Sequence, residues 1–332
     1  MPVKHRRLAE RDQRSAGEIP QMKSEYIIKG LRDRDPRGIA RAISLVEEND
    51  PLADEILSSL DDSLVDQAMV LGITGPPGAG KSTLTDRVIA KYRSQGKRVG
   101  VIAVDPSSPI SGGAILGDRI RMMGHALDKD VVVRSMATRG RLGGLCAAAG
   151  AAMRILAGSG CSVIIIETVG VGQSEMDIIR LADITALVLA PGLGDDIQAM
   201  KAGLLEVADI LVVNKADFVG ADALAMDMES VARKGGDKEE DKARVCMTVA
   251  SEGKGIDDLL AAIETVDASH RESGERRTRR EKAYDLEVLD WALEMIKPAI
   301  IEKIEKWDHD RKGAPRLMAA KLIGQECLRI PE

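Results

Sequence analysis

Aromatic side chains are nearly missing from this chain of 332 residues, which has one Phe, two Trp and three Tyr, 2% in all. An interior built on ring stacking is therefore excluded, and the core has to be assembled from Val, Ile, Leu, Ala and Met. Cysteine is equally sparse. Cys146, Cys161, Cys246 and Cys327 are scattered, with no Cys-x-x-Cys pair. That excludes a disulfide framework and a zinc ribbon, and it fits a reducing compartment. The histidines His5, His125, His270 and His309 are isolated from one another. No apolar run approaches the 18 residues that a membrane span requires, so no membrane partner is expected. Lys4, Arg6 and Arg7 precede no apolar stretch, and Glu10 and Asp12 do not suit a transit peptide. A solvated N-terminal tail and a cytoplasmic location are the expectation. With 47 Lys and Arg against 53 Asp and Glu, the net charge is −6, which argues against a nucleic-acid partner. What is present, 44% hydrophobic and 30% charged residues, describes a globular protein.

The pattern changes along the chain. Ile39, Ala42, Ile43 and Val46 recur at helical spacing, and Pro36 and Pro51 stand where helices can begin. From Met69 onward short β-branched runs alternate with helical ones: MVLGIT, RVGVIAV, DVVVRSM, SVIIIE, ITALVLA, DILVVN and ARVCMTV. Runs this apolar predict strands buried on both faces, hence an α/β fold with a doubly wound, mostly parallel sheet. Residues 267–283, DASHRESGERRTRREKA, read as a charged connector whose Arg276, Arg277, Arg279 and Arg280 are expected to form a solvated face, the alternative being an anion or partner patch. Beyond it Leu286, Leu289, Leu293, Ile296, Ile300, Ile304 and Trp307 form a near-heptad stripe, which Pro298 is expected to kink or divide. That stripe suits either packing on the chain's own core or a dimerisation arm. The expected organisation is an N-terminal tail and helical segment over 1–65, a nucleotide-binding domain over 66–268 and a C-terminal helical arm over 269–332.

Gly75, Pro76, Pro77, Gly78, Ala79, Gly80, Lys81 and Ser82, followed by Thr83, match G-x-x-x-x-G-K-S/T in full, between a predicted strand and a predicted helix. Glycines let backbone N–H groups turn onto phosphate oxygens, and the helix N-terminus adds partial positive charge. Lys81 is expected to reach the β- and γ-phosphates, and the Ser82 hydroxyl to ligate Mg²⁺.

Asn214, Lys215 and Asp217 form N-K-x-D directly after a predicted strand. The Asp217 carboxylate can accept both N1–H and N2–H of guanine, whereas adenine offers neither donor. Val249, Ala250 and Ser251 follow the last strand, where a base pocket would be completed. These residues predict GTP and GDP rather than ATP. Asp105 and Glu167 end predicted strands, and carboxylates there face a phosphate loop and hold Mg²⁺. Asp118, in a glycine-rich stretch, is either a further ligand or a surface turn.

The run ETVGVGQSE has Glu167 where Ras-type GTPases carry Asp, and Gln173 stands three residues beyond Gly170 rather than directly after it. Gln173 is therefore not assigned the attacking water. Taken together, GPPGAGKSTL, VIAVDPSSP, GGAILGDRIRM, TRGRLGGL, IIETVGVGQSE and PGLGDDIQAMKAGLLEVADILVVNKAD resemble the MeaB/ArgK/MMAA group of GTPases, from about Leu31 to the C-terminus. The resemblance implies that Ser82, Asp105, Asp118 and Glu167 surround Mg²⁺, with Lys81, Asp105, Glu167 and Lys201 in catalytic roles. It implies switch regions at Asp105–Arg121 and Arg139–Leu145. A further switch at Gly192–Gly203 contains Asp195, Asp196, Gln198 and Lys201. Arg139 and Arg141 are candidates to supply charge in an activated state.

By the same resemblance the chain is expected to be a GTPase that is slow alone and acts as chaperone to an adenosylcobalamin-dependent acyl-CoA mutase, with a homodimer as its own assembly. No cobalamin site of its own is expected, since Asp-x-His-x-x-Gly is absent. A nickel-delivery metallochaperone would need a His-rich tail or a Cys/His pair. A kinase linked to basic amino-acid transport would need a protein acceptor for phosphate. A partitioning ATPase would need a Lys where Pro76 and Pro77 stand.

Overall fold

The computed structural model describes residues 18–105, 123–125, 127–137, 144–168, 179–193, 204–232, 243–306 and 314–324. The expected N-terminal tail lies mostly outside them. Before the sheet come α1 (Glu18–Arg32), α2 (Pro36–Glu47), α3 (Leu52–Ser58) and α4 (Asp62–Gln67). Helix α2 begins as its sequence predicts. Pro36 stands in its first turn, and the Asp35 carboxylate before it accepts from the backbone N–H groups of Arg37 and Gly38.

The strands are β1 (Met69–Thr74), β2 (Val99–Asp105), β3 (Val131–Ala137), β4 (Val163–Thr168), β5 (Ile184–Leu189), β6 (Ile210–Asn214) and β7 (Arg244–Thr248). They form one seven-stranded sheet in the order β3-β2-β4-β1-β5-β6-β7, with every pairing parallel. All seven apolar runs read from the sequence are strands. Every residue of β1, β4, β5 and β6 is buried, the signature of a sheet covered on both sides.

The two-residue period of each strand divides the core. Val70, Ile102, Ile164 and Ile166 point to one face, where α1, α2, α3 and α6 (Gly144–Gly158) pack. Met69, Leu71, Ile73, Val163 and Ile165 point to the other, against α5 (Lys81–Ser94) and α9 (Ile256–Ser273). Leu187, Leu189, Leu211 and Val213 are covered by α7 (Leu204–Val207) and α8 (Ala221–Ala232). Ile39 and Ile43 of α2 are wholly buried, and each contributes about 1.5–3 kcal/mol. The N-terminal helices thus share a core with the sheet.

Two readings of the C-terminal region need correction. Residues 267–283 are helical, spanning the end of α9, a left-handed Gly274 and the start of α10 (Glu275–Lys306). Nor does this segment have only a solvated face. Arg280 grips Asp183 through Nε–Oδ1 and Nη2–Oδ2 contacts of 2.8 Å each, and Arg279 grips Asp209 through two more of 2.8 Å. Arg276, 5% exposed, donates to the carbonyls of Asp66 and Ala68. Burial pulls its guanidinium below its ordinary pKa, opposed by Asp183. The two aspartates stand just before β5 and β6, and they also accept from the backbone N–H groups of Val70 and Thr185. Of the five arginines, Arg271 and Arg277 lie on the exposed face, paired with Asp267 and Glu281.

The second correction concerns Pro298, which sits inside α10 without dividing it. Earlier in the same helix Glu287, 6% exposed, forms a bidentate pair with Arg154 of α6 at 2.7 and 2.6 Å. Gly150 makes this approach possible, because a Cβ there would lie 2.5 Å from Glu287 Oε2. Leu289, Leu293, Met295 and Ile304 are each about half exposed. The last described helix is α11 (Pro315–Gly324). Among the described residues no helix is long and apolar enough to cross a membrane.

Candidate functional site: a phosphate cradle and base loop

The order of the strands places β1 between β4 and β5, while the chain leaves β1 for β2 on the far side of β4. Ligands of such sheets gather at the carboxyl ends of the strands, where the winding reverses. The loop Gly75–Gly80 occupies that position, between β1 and the first turn of α5, which begins with Lys81, Ser82 and Thr83. Gly75 has φ 143°, and a Cβ there would lie 2.1 Å from the Val188 carbonyl oxygen of β5. Gly80 has φ 90°, and a Cβ there would lie 2.3 Å from Asn214 Nδ2. Both positions require glycine, for backbone conformation and for space.

Lys81 is 6% exposed and curls over the loop, its Nζ donating to the Gly75 and Pro76 carbonyls at 2.7 and 3.0 Å. Ser82 Oγ donates to Glu167 Oε1 at 2.6 Å, with both residues buried. Register explains the meeting: Glu167 of β4 pairs with Ile73 of β1, two residues before the loop begins. A hydroxyl and a carboxylate so close, beside a helix N-terminus, make a hard-oxygen donor pair of the kind that suits Mg²⁺. Asp105 is the last residue of β2, at the same end of the sheet, but its side chain lies outside the description. Asp118, Arg139, Arg141, Gln173, Asp195, Asp196, Gln198 and Lys201 also lie outside the described residues. Among those described, no three His, Cys, Asp or Glu side chains converge as a metal cluster.

Asn214, 2% exposed, ends β6 and ties three segments together. Its Nδ2 donates to the Ala79 carbonyl at 2.8 Å, and its Oδ1 accepts from Thr248 Oγ1 and the Ala250 N–H at 3.1 Å each. One amide therefore fixes the distance between the phosphate loop and the loop Val249–Ser251. Lys215 follows with φ 56°, a left-handed conformation, and its ammonium lies 6.0 Å from the Phe218 ring centre. Asp217 is exposed in the same turn, available to a ligand.

Arg87 of α5 escaped the sequence reading. Its Nε donates to the Ala250 carbonyl and its Nη2 to the Ser251 carbonyl, both at 3.0 Å. A lone arginine six residues beyond Lys81 carries no signal in the sequence, because its partners are more than 160 residues away. The arrangement can seat phosphates on backbone N–H groups, bring in a cation at Ser82 and Glu167, and present a carboxylate to one edge of a base.

The parallel sheet, the Gly75–Thr83 loop and the N-K-x-D turn after β6 are together those of a P-loop GTPase. The family described as Methylmalonyl Co-A mutase-associated GTPase MeaB matches residues 39–307, and the chain belongs to that family. A Pyrococcus abyssi protein provisionally named a GTPase is 48% identical over 325 residues, spanning 90% of this chain and 97% of its own. GTPase ArgK of Escherichia coli is 34% identical over 305 residues, 89% of this chain and 90% of its own. A mouse protein named methylmalonic aciduria type A homolog, mitochondrial, is 32% identical over 314 residues, 90% of this chain and 74% of its own. Among solved structures, one described as LAO/AO transport system kinase superposes with TM-score 0.65 at 26% identity, covering 91% of this chain and 97% of that one.

Proposed function

We propose that this GTPase is a nucleotide-driven switch and chaperone for an adenosylcobalamin-dependent acyl-CoA mutase, with methylmalonyl-CoA mutase the first candidate. It would act in the cytoplasm, gating cofactor loading and protecting or reactivating the mutase. The observation that carries the reading is the family's own description, which names association with that mutase, joined to a cradle whose Ser82, Glu167, Asn214 and Ala250 are already connected.

In this reading the loop Gly75–Thr83 binds the phosphates of GTP. Lys81 exchanges its carbonyl partners for the β- and γ-phosphate oxygens. Asn214, Lys215 and Asp217, with Val249, Ala250 and Ser251, bind guanine, the Asp217 carboxylate accepting from N1–H and N2–H. Ser82 and Glu167, with Asp105 and Asp118, would hold Mg²⁺. When bound, that ion neutralises charge developing on the phosphate oxygens. Water attacks the γ-phosphate in line, and Lys81 and the loop N–H groups stabilise the charge that accumulates. Turnover is slow in isolation, because neither a positioned Gln nor an arginine finger is evident in the sequence. Lys201 moves toward the site when the mutase binds.

The half-exposed apolar residues of α10 support self-association as a homodimer, since an unpartnered apolar stripe gains by burial against a copy. The cobalamin belongs to the mutase. A second reading follows from the solved relative described as a transport system kinase, and it differs in the acceptor, a protein side chain instead of water. Size-exclusion chromatography with purified methylmalonyl-CoA mutase tests the first reading. A complex should form and change stability between GDP and a non-hydrolysable GTP analogue. No complex in either state, together with transfer of labelled γ-phosphate to a protein, would favour the second.

A further inference from the structure

At the opposite end of the sheet from the phosphate loop, the N-terminal helices and the end of α6 enclose a cavity of about 390 Å³. That lies within the range of about 300–1,000 Å³ common for small-molecule sites. One wall is apolar, made by Ile28, Leu31, Leu60 and Leu64. The other is polar and basic, made by Arg32, Arg34, Ser159 and Gly160. The Arg34 guanidinium lies flat against Gly160, where a Cβ would meet its Nε at 3.1 Å and Nη2 at 3.2 Å.

Arg32 and Arg34 have no carboxylate partner among the described residues. Asp61, the acidic lining residue, is already committed to capping α4, its Oδ1 accepting from Ser63 N–H at 2.9 Å and Ser63 Oγ at 2.6 Å. Behind the basic wall stands Arg98, 6% exposed. It reaches the Arg34 carbonyl at 3.4 Å and lies against the Cys161 thiol, with no ion pair among the described residues. Its Nε is buried and makes no hydrogen bond. A buried guanidinium without a counter-charge is costly, and such a group signals an unfilled electrostatic role. Against these three arginines the lining sets one carboxylate, that of Asp61, so the cavity keeps an excess of positive charge.

We propose that this cavity is a second ligand site, separate from the nucleotide site, for a small amphipathic anion: a carboxylate or phosphate carried on a short apolar chain. The anionic head sits against Arg34 and Arg32, within the field of Arg98, with Ser159 beside it. The chain lies along Leu31, Leu60 and Leu64. A bare anion leaves the apolar wall unused and a neutral apolar molecule leaves the arginines unbalanced, so the site selects for both features together. An occupant bridges α1 to the end of α6 and braces the N-terminal helices on the sheet. This proposal stands independently of the mutase reading.

Titration calorimetry on the full chain, saturated with Mg²⁺ and GDP so that the phosphate loop is blocked, tests it. The probes are hexanoate, hexyl phosphate, inorganic phosphate and hexanol. One of the two amphipathic anions should bind at one per chain with a submillimolar dissociation constant, and which one binds more tightly assigns the head group. Inorganic phosphate and hexanol should each bind at least tenfold more weakly. Arg34→Gln should weaken the preferred anion at least tenfold while leaving GDP affinity unchanged. Arg32→Gln, at an exposed position, should also weaken it and keeps the test open if Arg34→Gln does not fold. Equal binding of hexanol, unchanged affinity in the folded arginine variants, or no binding of either amphipathic anion at several millimolar would overturn the proposal.

Discussion

Ser82 Oγ lies 2.6 Å from Glu167 Oε1, a buried hydrogen bond joining residues 85 positions apart. It ties the first turn of α5 to the end of β4, and so the phosphate loop to the strand end at Glu167. In this chain a glutamate stands where Ras-type GTPases have the shorter aspartate, and its carboxylate meets the serine hydroxyl directly.

Replacing Glu167 by Gln keeps the shape and removes the charge. Binding of GDP in EDTA should be nearly unchanged, whereas Mg²⁺-dependent single-turnover hydrolysis should fall by roughly 10–100-fold, with a higher Mg²⁺ midpoint. An unaltered Mg²⁺ titration would remove Glu167 from the metal assignment.

Asp217→Asn replaces a double acceptor with a side chain that offers one acceptor and one donor. GDP affinity should drop by roughly a hundredfold, as expected for loss of charged hydrogen bonds. Xanthosine diphosphate, which has a carbonyl in place of the 2-amino group, should then bind better than GDP. Competition against a fluorescent nucleotide measures both, and retained guanine preference would show that the base is read elsewhere.

Arg87 holds the loop whose Ala250 N–H is bonded to Asn214. Two hydrogen bonds of about 0.5–1.5 kcal/mol each set the scale. Arg87→Ala should speed GDP release by roughly tenfold and leave hydrolysis at saturating GTP within about twofold. Arg87→Lys, which can reach one of the two carbonyls, should recover part of the loss. Equal release rates in all three proteins would mean that the loop holds itself.

Asp183 is 1% exposed and is shared by Arg280, Arg276 and the Val70 N–H. Asp183→Asn leaves Arg276 with only Asp267 at 3.3 Å and Arg280 with only Asp66 at 3.8 Å as counter-charges, and about 3 kcal/mol of stability should be lost. Urea unfolding should show the lower midpoint. A change under 1 kcal/mol would mean that the carbonyls of Val65, Asp66 and Ala68 suffice to hold the arginines.

That same cluster shows where sequence reading stops. The seven strands were legible because burial on both faces writes itself as unbroken apolar runs. The phosphate loop and the Asn214–Asp217 turn were legible because local spacing sets their geometry. Arg276, Arg279 and Arg280 were read as solvent-facing because a charge run carries no mark of its partners. Asp183 and Asp209 stand 70 to 97 residues earlier in the chain. Arg87 escaped for the same reason. Pro298 is accommodated within α10, beyond the buried contact at Glu287. Asp105 is expected as an Mg²⁺ ligand from its place at the end of a strand, while Asp118 and the switch residue Lys201 rest on resemblance to the family.

The central claim is that a partner mutase controls nucleotide hydrolysis by this chain. Steady-state GTP turnover should therefore be measured alone and with each purified adenosylcobalamin-dependent acyl-CoA mutase, with ATP as the control nucleotide. The account predicts slow GTP hydrolysis alone, negligible ATP hydrolysis, and a many-fold rise with one mutase that Lys201→Ala abolishes. GTP turnover that no mutase alters would contradict it, leaving a GTPase whose partner is of another kind.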